Sequence, residues 1–130
     1  MRGWLVCVAL GTAVFAASAA DAQPVNIAGT WNVQGSIQVG GTLFSAMPTC
    51  KFEQVGARLA GTCIGPNAAG PVTGVVSGHA VSWTWTHQAT DAVGNTGVTD
   101  FRGDYVDSHL IRGTMTSSGV PAQGTFTQTR

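Results

Sequence analysis

Residues 101–115 are FRGDYVDSHLIRGTM, and they contain one five-residue unit twice: apolar, any residue, Gly, any residue, apolar. In a β-strand, residues two positions apart lie on the same face, so each unit places its glycine between two apolar side chains. The unit also begins at residues 27, 59, 72 and 122. Glycine inside a strand is typical of a tight bend or of close approach by another group. Six bent strands in one short chain therefore predict a closed barrel.

The turn sequences between these units predict how neighbouring strands pair. Two-residue turns are expected at Gly56-Ala57 and Gly78-His79, and the second places Trp83 opposite Gly74. A three-residue turn at 107–109 and a four-residue turn at 117–120 follow. They align three glycines in a row across neighbouring strands: Gly103, Gly113 and Gly124.

Between residues 31 and 47 the sequence leaves two turns open, Gly35-Ser36 and Gly40-Gly41. The total is therefore eight strands, or nine if one is split. Because each strand neighbours the next along the chain and no segment has a helical period, we predict an all-β fold. Its topology is an up-and-down antiparallel meander, closed into a barrel.

Two cysteines are expected to join one hairpin of this barrel. The turn at Gly56-Ala57 places Cys50 opposite Cys63 at a non-hydrogen-bonded pair, where Cα atoms approach to about 4.5 Å. That separation is compatible with a disulfide bond. These cysteines lack the close spacing of a redox pair, so the predicted role of the bond is structural.

The first 22 residues are typical of a secretory signal peptide. Arg2 supplies the positive end, residues 5–16 form an apolar run too short to span a bilayer, and Ala20-Asp21-Ala22 is a cleavage site. Residues 23–130 are then a single barrel domain that is secreted or periplasmic. Basic and acidic residues balance, which argues against nucleic acid or an anionic membrane as a partner. No second apolar run is long enough to predict a membrane anchor. The sequence does not predict the oligomeric state.

The candidate ligand site is a row of aromatic side chains on the inner face. Strict alternation along residues 81–88 places Trp83, Trp85 and His87 on one face, and the pairing predicted above adds Phe101 and Tyr105. Aromatic walls with few polar groups suit an apolar or aromatic small molecule. The alternative is that these aromatic side chains simply fill the core.

The histidines predict no metal site, and one of them is a candidate acid or base. His79 and His109 fall at predicted turns, and no histidine pair has metal-ligand spacing, so no metal site is expected. No sequence motif for a cofactor is present either, so no cofactor is expected. His87 alone is placed to act as an acid or base inside the barrel.

A short signature at the two ends of the predicted barrel resembles that of the calycin superfamily: Gly29-Thr30-Trp31 in the first strand and the basic Arg130 at the end of the last strand. This superfamily includes lipocalins, avidins and bacterial metalloprotease inhibitors. The resemblance implies that Trp31 closes one end of the barrel and that Arg130 stacks on its ring. Residues 81–85 are similar to a ligand-facing avidin strand. The tyrosine of the avidin site is replaced here by Cys63, so biotin is not expected.

Three functions follow as hypotheses. The first is a binding protein that holds a small apolar or aromatic molecule against the inner aromatic row. The second is an isomerase- or cyclase-type enzyme in which His87 acts with Tyr105 or Asp107. The third is a protease-inhibitor-like interaction protein that works through the loop at 88–97 or the tail at 23–26.

Overall fold

The computed structural model describes residues 23–130, so the predicted signal peptide and its cleavage point lie outside the described residues. The described chain is all β, as predicted, and no helix in it is long and apolar enough to span a membrane. Its strands are β1 (Gly29–Val39), β2 (Thr42–Ala46), β3 (Thr49–Val55), β4 (Arg58–Ile64), β5 (Ala68–Ser77), β6 (Ala80–Ala89), β7 (Gly97–Asp107), β8 (Leu110–Ser117) and β9 (Gln123–Thr129).

Eight of these strands form a closed antiparallel ring. Each strand from β3 to β9 pairs with the next, and β1 pairs with both β3 and β9, which closes the barrel. The ninth strand, β2, pairs with β1 alone and lies outside the ring. The predicted eight-stranded barrel with a possible ninth strand is therefore confirmed.

The ninth strand arises because one long strand is split. Of the two competing turns, the chain uses Gly40-Gly41, with Gly40 at a φ of 61°. The register of this hairpin continues unchanged from Val39–Thr42 to Asn32–Thr49, so β2 and β3 follow the same edge of β1. The break between β2 and β3 falls at Met47-Pro48. These two residues come just before Thr49, where the pairing of β3 with β4 begins.

The two short turns form as predicted, and with them the disulfide. Gly56 and Gly78 adopt φ values of 60° and 59°, a conformation that glycine reaches without steric cost. Cys50 lies directly opposite Cys63, with Cα atoms 4.0 Å apart, and the two sulfurs are bonded. Both cysteines are fully buried.

The predicted three-residue turn at 107–109 is wrong, although the pairing beyond it is right. Asp107 pairs with Leu110, so the turn is shorter and a bulge falls between Tyr105 and Asp107. The bulge takes up the extra residue, and Gly103 still lies opposite Gly113.

The predicted register between β8 and β9 is also wrong, by two residues. Gly113 lies opposite Phe126, not Gly124, so the row of three glycines does not form. The observed register places the end of the Phe126 ring 3.0 Å from where a Cβ on Gly103 would stand. An aromatic ring thus covers the bare backbone of the glycine pair, as often happens beside strand glycines.

The recurring glycines are required because neighbouring strands approach them too closely for a side chain. A Cβ on Gly113 would collide with the carbonyl oxygen of Arg102 on β7, and one on Gly61 would collide with that of Lys51 on β3. The same contact with a carbonyl oxygen of the adjacent strand is made by Gly74, Gly103 and Gly124. Five of the six recurring units therefore hold their glycine against a neighbouring backbone.

Substitution Gly113→Ala is expected to destabilise the barrel by about 2 kcal/mol, because the new methyl group must push two paired strands apart. Gly41→Ala is the matched control, since a Cβ there meets nothing within 4 Å. Chemical denaturation measures both. Equal stability of the two variants would contradict this explanation of the glycine repeat.

Reduction of the Cys50–Cys63 bond is expected to lower the free energy of unfolding by about 3 kcal/mol, the loop-closure value for two residues separated by 13 positions. The measurement is urea unfolding with and without dithiothreitol. The double variant Cys50→Ala, Cys63→Ala provides the control, because a reductant should not change its stability.

Candidate functional site

The two ends of the barrel differ, and one of them is closed by a tryptophan. Trp31 is fully buried, and its Nε1–H donates to the carbonyl oxygen of Ile27 at 2.8 Å. The guanidinium carbon of Arg130 lies 4.1 Å from the centre of the Trp31 ring. Arg130 also donates to the carbonyl oxygens of Ala28 and Ser108, at 2.8 and 2.7 Å. The cation–π contact and these hydrogen bonds join Arg130 to the start of β1 and to the turn before β8 across the base.

The N-terminal tail is held at this same closed end. The amide of Val25 donates to the carbonyl oxygen of Gly78 at 3.0 Å, and its carbonyl oxygen accepts from the side chain of Gln54 at 2.8 Å. The tail on which the inhibitor hypothesis depends is therefore bound to the barrel at Val25.

The middle of the barrel is filled by aromatic side chains. Trp83 and Phe101 stack with ring centres 3.9 Å apart, and Phe52 and Phe126 pack edge-on against them. The Nε1–H of Trp83 donates to Oε1 of Gln128 at 3.2 Å. We call this packed cluster of rings the floor of the barrel.

A pocket of about 140 Å³ lies above that floor, at the open end of the barrel. Its wall consists of inward side chains from four ring strands: Ile37, Trp85, His87, Thr99, Met115 and Ser117. Its rim is formed by residues 44–47, 65–68 and 93–95 and by Val120. The rim combines the exposed apolar side chains of Phe44, Met47 and Val93, which are 38%, 55% and 79% accessible, with the polar residues Ser45, Asn67 and Asn95.

The structure separates the five predicted ligand-site residues. Trp85 and His87 line the pocket. Trp83 and Phe101 lie in the packed floor, so for them the alternative reading as core describes what is seen. Tyr105 lies near the closed end, with its ring centre 5.7 Å from that of His79. The distance along the strands, about 3.3 Å per residue, spreads a row of this length over both ends of a small barrel.

His87 is buried, and both of its ring nitrogens are already bonded. Nδ1 lies 2.8 Å from the carbonyl oxygen of Asn95, and Nε2 lies 2.9 Å from the hydroxyl of Thr99. Because a carbonyl oxygen only accepts, the neutral ring carries its proton on Nδ1, and Nε2 accepts from Thr99. Thr99 in turn lies 2.9 Å from the hydroxyl of Ser117. Proton exchange between His87 and a bound molecule would require one of these bonds to break.

Sequence reasoning missed Thr99, Ser117 and Gln128. Their inward direction was available from the alternation, because Thr99 precedes Phe101 by two positions and the other two follow Met115 and Phe126 by two. Their polar side chains do not suggest an inward position, because polar residues are rarely buried without partners. Asn95 contributes only its backbone carbonyl from a loop, and no sequence pattern marks that role.

Two loops at the pocket mouth are fastened to each other. Asn67 accepts from the amide of Thr90 through its carbonyl oxygen, and its side chain donates to Asp91 at 2.8 Å. Gly94 packs against Asn67 so closely that a Cβ on Gly94 would collide with the backbone carbonyl oxygen of Asn67. Asp91 also accepts from the amides of Val93 and Gly94, at 2.9 and 3.0 Å. We call residues 65–67 and 90–96 the mouth loops.

The same contacts change the acidity of Asp91. The hydrogen bond from Asn67 is the main cause that lowers the pKa of the Asp91 carboxyl below its ordinary value of 3.8, and the amides of Val93 and Gly94 add to it. Because the lowered pKa belongs to the folded state, the ionised carboxylate favours the closed mouth loops above pH 3.8. That contribution is lost as the pH falls through the lowered value.

The described part of the chain brings no charged side chain to the pocket, since none of its residues that line the pocket is Asp, Glu, Lys or Arg. Within residues 23–130, no three His, Cys, Asp or Glu side chains are grouped so that they could hold a metal ion. The chemistry available at the site is therefore that of aromatic and aliphatic surface with a few neutral hydrogen-bonding groups.

No protein-family model matches the chain, and no curated protein matches it significantly.

Asp91→Ala is expected to open the mouth loops at neutral pH, because the amides of Val93 and Gly94 lose their acceptor. In the unsubstituted protein, the chemical shifts of these amides should titrate with a midpoint below pH 3.8, followed by NMR. Asp107→Ala is the matched control, since Asp107 makes the same kind of bond, to the amide of His109 at 2.8 Å, at the other end of the barrel. A midpoint at or above pH 3.8 would contradict the assignment.

Proposed function

We propose that the protein binds a small neutral molecule of apolar or aromatic character in the pocket at the open end of its barrel. The observation that carries this proposal is the composition of the pocket: an indole, the aliphatic side chains of Ile37 and Met115 and three mutually hydrogen-bonded polar side chains form the wall, and none of the described residues that line it is Asp, Glu, Lys or Arg. Small-molecule sites are usually concave and apolar, with a few placed polar groups. An ionic ligand would have to leave water without meeting an opposite charge, which is costly.

The size of the pocket limits the ligand. Its volume of about 140 Å³ is close to the roughly 150 Å³ of an engineered cavity that binds benzene. A single aromatic ring or an aliphatic group of similar volume fits. The apolar side chains of Phe44, Met47 and Val93 on the rim offer contact to any substituent that extends outward.

The proposal includes the setting in which the protein works. A disulfide between two fully buried cysteines supports a secreted or periplasmic location, since such bonds persist in oxidising compartments. The packing of Arg130 on Trp31 at the closed end supports a calycin-like origin for the barrel. We propose both as hypotheses alongside the binding function.

The test is binding of toluene, with benzoate as the charged probe of similar size, followed by tryptophan fluorescence and calorimetry. Toluene is expected to bind and benzoate is not. Ala68→Leu enlarges a side chain in the pocket lining and should weaken toluene binding about tenfold or more, by filling the space. Ala60→Leu, the same change on the exposed outer face of β4, should leave binding unchanged.

Two outcomes would overturn the proposal. The first is that toluene does not bind saturably to the unsubstituted protein. The second is that Ala60→Leu reduces binding as much as Ala68→Leu does, because the loss would then have no connection with the pocket.

A further inference from the structure

We infer that the molecule in this pocket carries a hydrogen-bond acceptor that pairs with the Nε1–H of Trp85. This inference rests on the proposed function, because it specifies the chemistry of the ligand that the pocket takes. Its basis is a difference between Trp85 and the other tryptophans of the described chain.

The three indoles in residues 23–130 are all buried, but only two have a partner for the ring N–H. That of Trp31 donates to Ile27, and that of Trp83 donates to Gln128. The Nε1 of Trp85 is buried and has no partner among the described residues. Trp85 is also the one of the three that lines the pocket.

An unpaired indole N–H at this position is unusual. Trp85 is only 4% exposed, and buried polar groups are nearly always hydrogen-bonded because an unpaired one keeps its full desolvation cost. Among residues 23–130, one other buried side-chain atom lacks a partner, Nε2 of Gln128, but Gln128 lies beside Trp83 and does not line the pocket. Among the described residues that line the pocket, the unmet donor is therefore the indole of Trp85. Because its Nε1 is buried, a ligand must shift a neighbouring side chain to reach it.

The polar groups beside Trp85 further limit which ligand fits the pocket. Both nitrogens of His87 are bonded, to Asn95 and Thr99, and the hydroxyl of Thr99 is shared with Ser117. An indole N–H can only donate, so its ligand partner must accept. Combined with the volume and the uncharged wall, this points to a neutral one-ring aromatic compound with a carbonyl or a similar acceptor.

The experiment compares two probes of the same shape, acetophenone and α-methylstyrene, in which an acceptor oxygen replaces a methylene carbon. Their affinities are measured for the unsubstituted protein and for Trp85→Phe, which keeps an aromatic ring but removes the N–H. The ratio of the two affinities cancels their different transfer from water. Trp85→Phe is expected to weaken acetophenone relative to α-methylstyrene by about three- to tenfold, the usual range for one net hydrogen bond.

Trp83→Phe is the matched control, because its N–H already bonds Gln128, and the affinity ratio should not change. A second measurement needs no variant. In the ¹H–¹⁵N spectrum of the unsubstituted protein, acetophenone should move the Trp85 indole signal downfield, while α-methylstyrene should not. The indole signals of Trp31 and Trp83 serve as internal references.

The outcomes separate the two proposals. If neither probe binds, the proposed function fails. If both bind but the affinity ratio is the same in Trp85→Phe and acetophenone leaves the Trp85 signal in place, the pocket binds apolar molecules and the inferred hydrogen bond is wrong. A reduced ratio with a downfield Trp85 signal supports the inference.

Discussion

The barrel depends on close contact between inward-facing glycines and the backbone of the adjacent strand. At Gly61, Gly74, Gly103, Gly113 and Gly124 the neighbouring carbonyl oxygen occupies the space that a Cβ would need. Strands that approach so closely can bend, and bending is what lets β9 reach β1 and close the ring. The cost of glycine in a strand is offset because the space left inside is filled by large side chains such as Phe126 and Trp83.

That filling determines where a ligand can go. The stacked rings of Trp83 and Phe101 occupy the middle of the barrel, and Trp31 with Arg130 closes its base. The pocket lies toward the open end, above these rings. Trp85 and His87 stand there because they follow Trp83 at steps of two along β6. The binding proposal therefore depends on the way this core is packed, and the mouth loops and β2 supply the rim.

Local patterns predicted much of this arrangement. Alternation and turn residues were sufficient for the closed meander, for the turns at Gly56 and Gly78, and for the Cys50–Cys63 pair, because a two-residue turn leaves one register. The predicted register of β9 against β8 is wrong. The loop between these strands is longer than a two-residue turn, and a shift of two residues keeps the same side chains facing inward. In that case the choice between registers is made by packing, here by the fit of Phe126 over the glycines.

The sequence by itself determined the all-β fold, the direction of each side chain relative to the sheet, and the pairing within the tight hairpins. These follow from a period of two and from turn chemistry, which act over a few residues. The tertiary structure decided which inward residues form the floor and which line the pocket. It also decided that the His87 nitrogens are bonded while the Trp85 N–H is not. Such contacts join strands and loops that lie far apart along the chain, and they exist only once the ring has closed.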